Sequence, residues 1–97
     1  MSDTVETIKN ILTPVFVQYD IKQAILFGSF AKGCANENSD VDLLVDSRLR
    51  GLRFVGFTEA VRQAVDRPVD VIDVSHIEKD SRIDKEIRLT GVTIYAG

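Results

Sequence analysis

The chain has 97 residues, 44% of them hydrophobic and 28% charged, with 12 Lys and Arg against 15 Asp and Glu. That length and composition suit one folded domain, residues 1–97, with a modest core and no room for a second, substrate-holding unit. A net charge of −3 disfavours gripping a long phosphate backbone, and one cysteine cannot form an internal disulfide or a thiolate metal cage. No apolar run reaches the ~18 residues of a membrane span, and MSDTVETIKN lacks the layout of a signal peptide, so a soluble cytoplasmic protein is expected.

Asp3-Thr4-Val5-Glu6 has the form of a capping box. Val5, Ile8, Ile11, Leu12, Val15, Phe16 and Tyr19 follow on one helical stripe, with Pro14 expected to kink the helix or to start its last turn separately. Ile21 to Phe27 reads as an apolar strand ended by Gly28-Ser29, and Gly33, Asn36 and Asn38 mark a turn-rich stretch with room for one short helix. Val41 to Val45 is a second strand, and Arg48 to Arg53 a basic turn around Gly51. Phe54, Phe57, Val61, Ala64 and Val65 form a second helical stripe, closed by Arg67-Pro68. Val69 to Val74 is a third strand. Asp80 to Leu89 is a polar helix with Gly91 as its cap, and Val92 to Tyr95 is a closing strand. Strands alternating with helices predict an α/β (α+β) layered fold, a mixed sheet of about four strands with helices packed on it.

The chemistry concentrates in FGSFAKGCANENSDVDLLV, residues 27–45. Gly28 allows close backbone approach to a ligand, and N–H groups at a helical start favour an anion. Ser29 adds a hydroxyl donor and Lys32 a positive charge, so a phosphate is the expected guest. Gly28 to Gly33 matches the first half of a P-loop, but Cys34-Ala35 stands where Lys and Ser or Thr are required, which excludes a Walker-type site. Asp40 and Asp42 alternate onto one face of a strand. Two carboxylates ~5 Å apart repel by on the order of 3 kcal/mol at an effective dielectric of 20. A divalent cation relieves that repulsion, and Mg²⁺ is the one suited to a few carboxylates plus substrate phosphates. A third carboxylate comes from Asp70 or Asp73, which face opposite ways along their strand; Asp70, set between two valines, is the choice.

Each part alone has an ordinary explanation: Gly28-Ser29 as a strand end, Asp40 and Asp42 as a solvated strand edge. Their combination is the layout of metal-assisted nucleotidyl transfer. Asp46 and Asp73 are expected to be structural or exposed, His76 to lie on the surface, and Cys34 to be an unreactive loop thiol. Leu52 and Val55 fall off the apolar stripe of their helix, where they are either stray surface residues or part of a partner surface.

Gly28-Ser29, then Asp40-Val41-Asp42, then Asp70 resembles the motif of the DNA polymerase β nucleotidyltransferase superfamily, and within it the minimal nucleotidyltransferase (MNT) family. Ser39 before the first Asp, Gly33 in the loop and the closing Gly91-to-Tyr95 strand also fit; Lys32 departs, since the family often has Arg there. The resemblance implies a polymerase β palm-like fold. It further implies an antitoxin that transfers AMP from ATP to a tyrosine hydroxyl of a HEPN-domain RNase toxin, in a hetero-oligomer with it. Gly28, Ser29, Lys32 and Ser39 would then hold the triphosphate, Asp40, Asp42 and Asp70 two Mg²⁺ ions, and Asp70 would sit beside the acceptor hydroxyl. The alternatives are an antitoxin that only binds its partner and a transferase acting on a small hydroxyl compound. No direct nucleic-acid or membrane contact is expected.

Overall fold

The computed structural model describes residues 5–28 and 41–97. Its elements run α1 (Val5–Gln18), β1 (Gln23–Phe27), β2 (Val41–Asp46), α2 (Leu52–Val65), β3 (Val69–Asp73), a single 3₁₀ turn (Val74–His76), α3 (Arg82–Thr90) and β4 (Val92–Ala96). The four strands form one sheet in the order β3-β2-β1-β4. β1 pairs antiparallel with both β2 and β4, and β2 pairs parallel with β3. The mixed sheet follows from the connections, because parallel neighbours need a crossover and α2 supplies it between β2 and β3.

Alternation along the central strands sorts the two faces of the sheet. Val41, Leu43 and Val45 of β2 and Ala24 and Leu26 of β1 join Ile8, Leu12 and Phe16 of α1 and Phe57 and Val61 of α2 in one buried cluster. Phe16 meets Tyr95 with ring centroids 5.3 Å apart, which ties α1 to β4 across the sheet. On the other face, α3 ends against β1. A Cβ at Gly91 would lie 2.9 Å from Ile25 Cγ2 and would collide with the Ile87 carbonyl, so only glycine lets the helix turn directly into β4.

Several expected boundaries move for local reasons. The capping box reaches into residues 1–4, and the turn-rich stretch with its short helix falls within residues 29–40; both lie outside the described residues. Pro14 neither splits α1 nor ends it, and the helix runs on to Gln18. Pro14 and Asn10 are both exposed, so water can reach the carbonyl that Pro14 cannot serve. β1 begins at Gln23 because Asp20 takes a left-handed turn conformation, φ 56°, and Ile21 N–H closes that turn onto the Phe16 carbonyl. α2 starts at Leu52, so its first turn is the second half of the expected basic turn. Ser81, accepting from Asp84 N–H, caps α3, and Gly91 ends it in an extended conformation.

β3 stops at Asp73, one residue early, because Asp73 caps the 3₁₀ turn that follows. Its carboxylate is buried and accepts four bonds: from Ser47 Oγ (2.6 Å) and N–H (3.2 Å) at Oδ1, and from Ser75 Oγ (2.6 Å) and N–H (3.0 Å) at Oδ2. Burial alone would raise its pKa. The bonds from Ser47 and Ser75 outweigh burial and hold it at about 2, below the ordinary 3.8. The charged form is therefore favoured in the folded state, and this stability is present above pH 3.8 and lost as pH falls towards 2. Asp73→Asn turns an amide N–H₂ towards hydroxyl and N–H donors. Urea denaturation should show it less stable by about 2 kcal/mol at neutral pH. The gap between variant and wild type should narrow as pH is lowered from about 4 to about 2.

Candidate functional site

The far end of β1 and the near ends of β2 and β3 meet at one rim of the sheet. Asp42 is the second residue of β2 and stands opposite Phe27, the last of β1. Asp70 is the second residue of β3 and stands level with Asp42 in the parallel pairing. Paired residues on neighbouring strands share a face, with backbones about 4.8 Å apart. The two carboxylates therefore lie side by side, on the face away from α1 and α2. The matching strand starts, Val41-Asp42-Leu43 and Val69-Asp70-Val71, produce this pairing: the valines face the core, and the aspartates between them cannot.

Gly28 completes the geometry. It is buried, with φ +78°, a conformation that L side chains rarely adopt. A Cβ there would collide with Asp42 Oδ2 and come within 3.2 Å of Asp42 Cγ. The Asp42 carboxylate thus rests directly on the Gly28 backbone, in space that any other residue would fill. Asp42 is half-buried in a central strand, whereas Asp70 is exposed on an edge strand. One carboxylate is held firmly, and the other faces open solvent.

The chain around these residues is well anchored. Val41 N–H donates to the Pro68 carbonyl (3.1 Å), and Arg62 Nε of α2 donates to the Val69 carbonyl (3.4 Å). The starts of β2 and β3 are thereby fixed to each other and to the crossover helix. Ser29, Lys32, Ser39 and Asp40, the remaining expected ligand-binding and metal-binding residues, lie outside the described residues, as does Cys34. Asp42 and Asp70 supply hard oxygen donors of the kind that suits a divalent cation. Among the described residues no group of three His, Cys, Asp or Glu is gathered closely enough to hold a metal, so a third ligand would have to come from beyond them.

The other acidic and titratable candidates fall elsewhere. Asp73 is turned to the opposite face, as alternation requires, and is used up in the lock with Ser47 and Ser75. His76 is exposed in the 3₁₀ turn. A cavity of about 660 Å³ opens at the opposite rim of the sheet, lined by Asp46, Arg48, Arg50, Phe54 and His76 among others, and contains neither Asp42 nor Asp70. The sequence reading missed it; its one sequence trace is the run of three arginines at 48, 50 and 53. It also missed the packing of Asp42 on Gly28, because the spacing of the motif does not reveal which atoms touch.

The chain is similar to known proteins. The family model described as polymerase beta, nucleotidyltransferase matches residues 6–97. The candidate protein adenylyltransferase MJ0435 of Methanocaldococcus jannaschii is 36% identical over 42 residues, which is 43% of this chain and 45% of that protein. The match therefore spans less than half the length of this relative. Among solved structures, a toxin–antitoxin with AMP-PNP superposes with a TM-score of 0.77 at 19% identity, covering 92% of this chain and 73% of the other. A tri-AMPylated Shewanella oneidensis HEPN toxin in complex with its MNT antitoxin gives a TM-score of 0.71 at 15% identity, covering 97% and 74%. At such identities these structures share the fold. The family model covers nearly the whole chain, including the strands that carry Asp42 and Asp70, and the chain belongs to the polymerase beta nucleotidyltransferase family.

Proposed function

We propose that the chain transfers AMP from ATP to a tyrosine hydroxyl of a HEPN-domain RNase toxin and acts as its antitoxin. The observation that carries this reading is the pairing of Asp42 and Asp70 at one rim, with Asp42 seated on Gly28 and Asp70 open to solvent. The nature of the partner is supported by the fold shared with the antitoxin of a tri-AMPylated HEPN toxin. That the nucleotide is ATP is supported by the AMP-PNP complex of a similar fold. No described helix is long and apolar enough to cross a membrane. Action in the cytoplasm, on a protein and with no direct contact to nucleic acid, fits the net charge of −3.

In this reading the tyrosine oxygen attacks the α-phosphorus of ATP. The bond from that phosphorus to the bridging oxygen of the pyrophosphate breaks, and pyrophosphate leaves as AMP becomes joined to the tyrosine. Gly28, Ser29, Lys32 and Ser39 bind the triphosphate, with Gly28 giving its backbone close access. Asp40, Asp42 and Asp70 would hold two Mg²⁺ ions, which supply charge neutralisation at the reacting phosphate. Asp70 lies on the acceptor side, where it orients the hydroxyl and receives its proton. An exposed edge-strand carboxylate suits an acceptor delivered from outside the chain.

Mass spectrometry of the HEPN partner after incubation with the chain, ATP and Mg²⁺ should show addition of AMP. Asp42→Asn should abolish the adduct while the variant melts within a few degrees of wild type. A partner that stays unmodified yet is neutralised would favour an antitoxin that acts by binding. Adduct formation on an aminoglycoside in place of the partner would favour a small-molecule transferase. Gly28→Ala should lower the rate of transfer at least about tenfold and cost about 1–3 kcal/mol of stability, because its methyl displaces the Asp42 carboxylate at a positive φ. Asp70→Asn should lower the rate with little effect on stability, since Asp70 is exposed.

A further inference from the structure

The rim opposite Asp42 and Asp70 has a distinct character. Within an acidic chain, residues 48–53 (Arg-Leu-Arg-Gly-Leu-Arg) carry three of the 12 basic residues and no acid. Arg48, Arg50 and Arg53 are all exposed. None of the three makes an ion pair among the described residues, whereas Arg62 pairs with Glu59 and Arg88 with Asp84 and Asp80. Arg48 and Arg50 line the cavity of about 660 Å³, whose floor includes the half-buried Phe54. Apolar surface continues beyond it: Leu52 is 87% exposed and Val55 56% exposed.

Two carboxylates also line the cavity, and only one remains available. Asp73 has both oxygens filled by Ser47 and Ser75, and Asp46 is half-buried beside them. The same lock shapes the basic segment: Ser47 Oγ donates to Asp73 and accepts from Leu49 N–H (3.1 Å), and Arg48 follows at φ 57°. The arginines are thus displayed from a pinned turn.

We propose that this rim, residues 46–55 and 73–76, docks an acidic segment bearing bulky apolar side chains on the protein whose hydroxyl is modified. Charge complementarity selects the occupant. Arginines with no ion pair among the described residues, beside a cavity lined in part by Phe54 and flanked by exposed Leu52 and Val55, suit carboxylates with an apolar anchor, whereas an RNA strand would leave Leu52 and Val55 without a partner. The location suits such a role. Asp46 follows Asp42 by four residues on β2, so docking occurs roughly 13 Å along the strand from the reacting end. A partner held there leaves the rim of Asp42 and Asp70 open to its acceptor side chain. The inference rests on the partner-directed reading above.

Fluorescence anisotropy with a labelled peptide alternating pairs of glutamate with leucine tests it on the intact chain. The peptide should bind saturably, more weakly at high salt, and about tenfold more weakly to Arg50→Glu/Arg53→Glu. An acid at position 53, in the first turn of α2, favours the helix, and Arg50 is exposed just before it, so this variant should fold. Leu52→Ser, a single change at an exposed residue, should also weaken binding. Lys9→Glu/Lys85→Glu makes the same change in net charge elsewhere and should leave binding within twofold. The Asp42→Asn chain should keep full peptide binding, which separates docking from transfer: a chain that modifies no partner but binds the peptide refutes the transfer reading alone. Absence of saturable binding, equal binding by Arg50→Glu/Arg53→Glu, or an oligouridylate RNA binding as tightly as the peptide would overturn the proposal.

Discussion

The register between β2 and β3 is the constraint on which the site depends. It sets Asp42 level with Asp70, and a slip of one residue would send one of them into the core. The register is held from the core side. Val41, Val45 and Val69 are all buried with α1 and α2, and moving any of them outward would expose apolar surface and bury an acid. At the far end of the same two strands, Asp73 closes the register a second time through its bonds from Ser47 Oγ and N–H. The two acids of β3 thus differ: Asp73 is bonded to Ser47 at the end of β2, and Asp70 stands exposed beside Asp42.

Gly28 plays the corresponding part for β1. Its positive φ turns the chain out of the strand, and its missing side chain leaves room for the Asp42 carboxylate. A glycine at this point in a phosphate-binding motif would ordinarily be explained by ligand approach alone. Here it accommodates a carboxylate of the protein itself, so Gly28 and Asp42 of the motif are in direct contact. The site is stiff at Asp42, in a central strand, and open at Asp70, on an edge. That asymmetry suits a reaction with one substrate bound in a cradle and the other brought from outside.

Much of this was legible in the chain of residues. The strands and helices among the described residues follow from stripes of period 3.6 and alternations of period 2, and Asp42 and Asp70 stand on the face of their strands turned away from the core. Alternation puts Asp70 and Asp73 on opposite faces of β3 without choosing between them; in the sheet it is Asp70 that stands level with Asp42. Boundaries were less legible. Asp20 in a left-handed turn shortens β1, Asp73 as a cap shortens β3, and Pro14 passes through α1 because its side of the helix meets water.

What the sequence by itself determined is the order of elements, the family motif and the identity of the acids, because periodicity, turn chemistry and residue type are local properties. Only the tertiary structure decided which acids stand together, that Asp73 is spent on a buried lock, that Gly28 carries Asp42, and that Arg48 and Arg50 line a cavity at the far rim. The physical reason is that these depend on strand register and on contacts between residues distant in the chain. Spacing along a sequence limits such contacts but does not select among them; the burial of apolar side chains against a common core does.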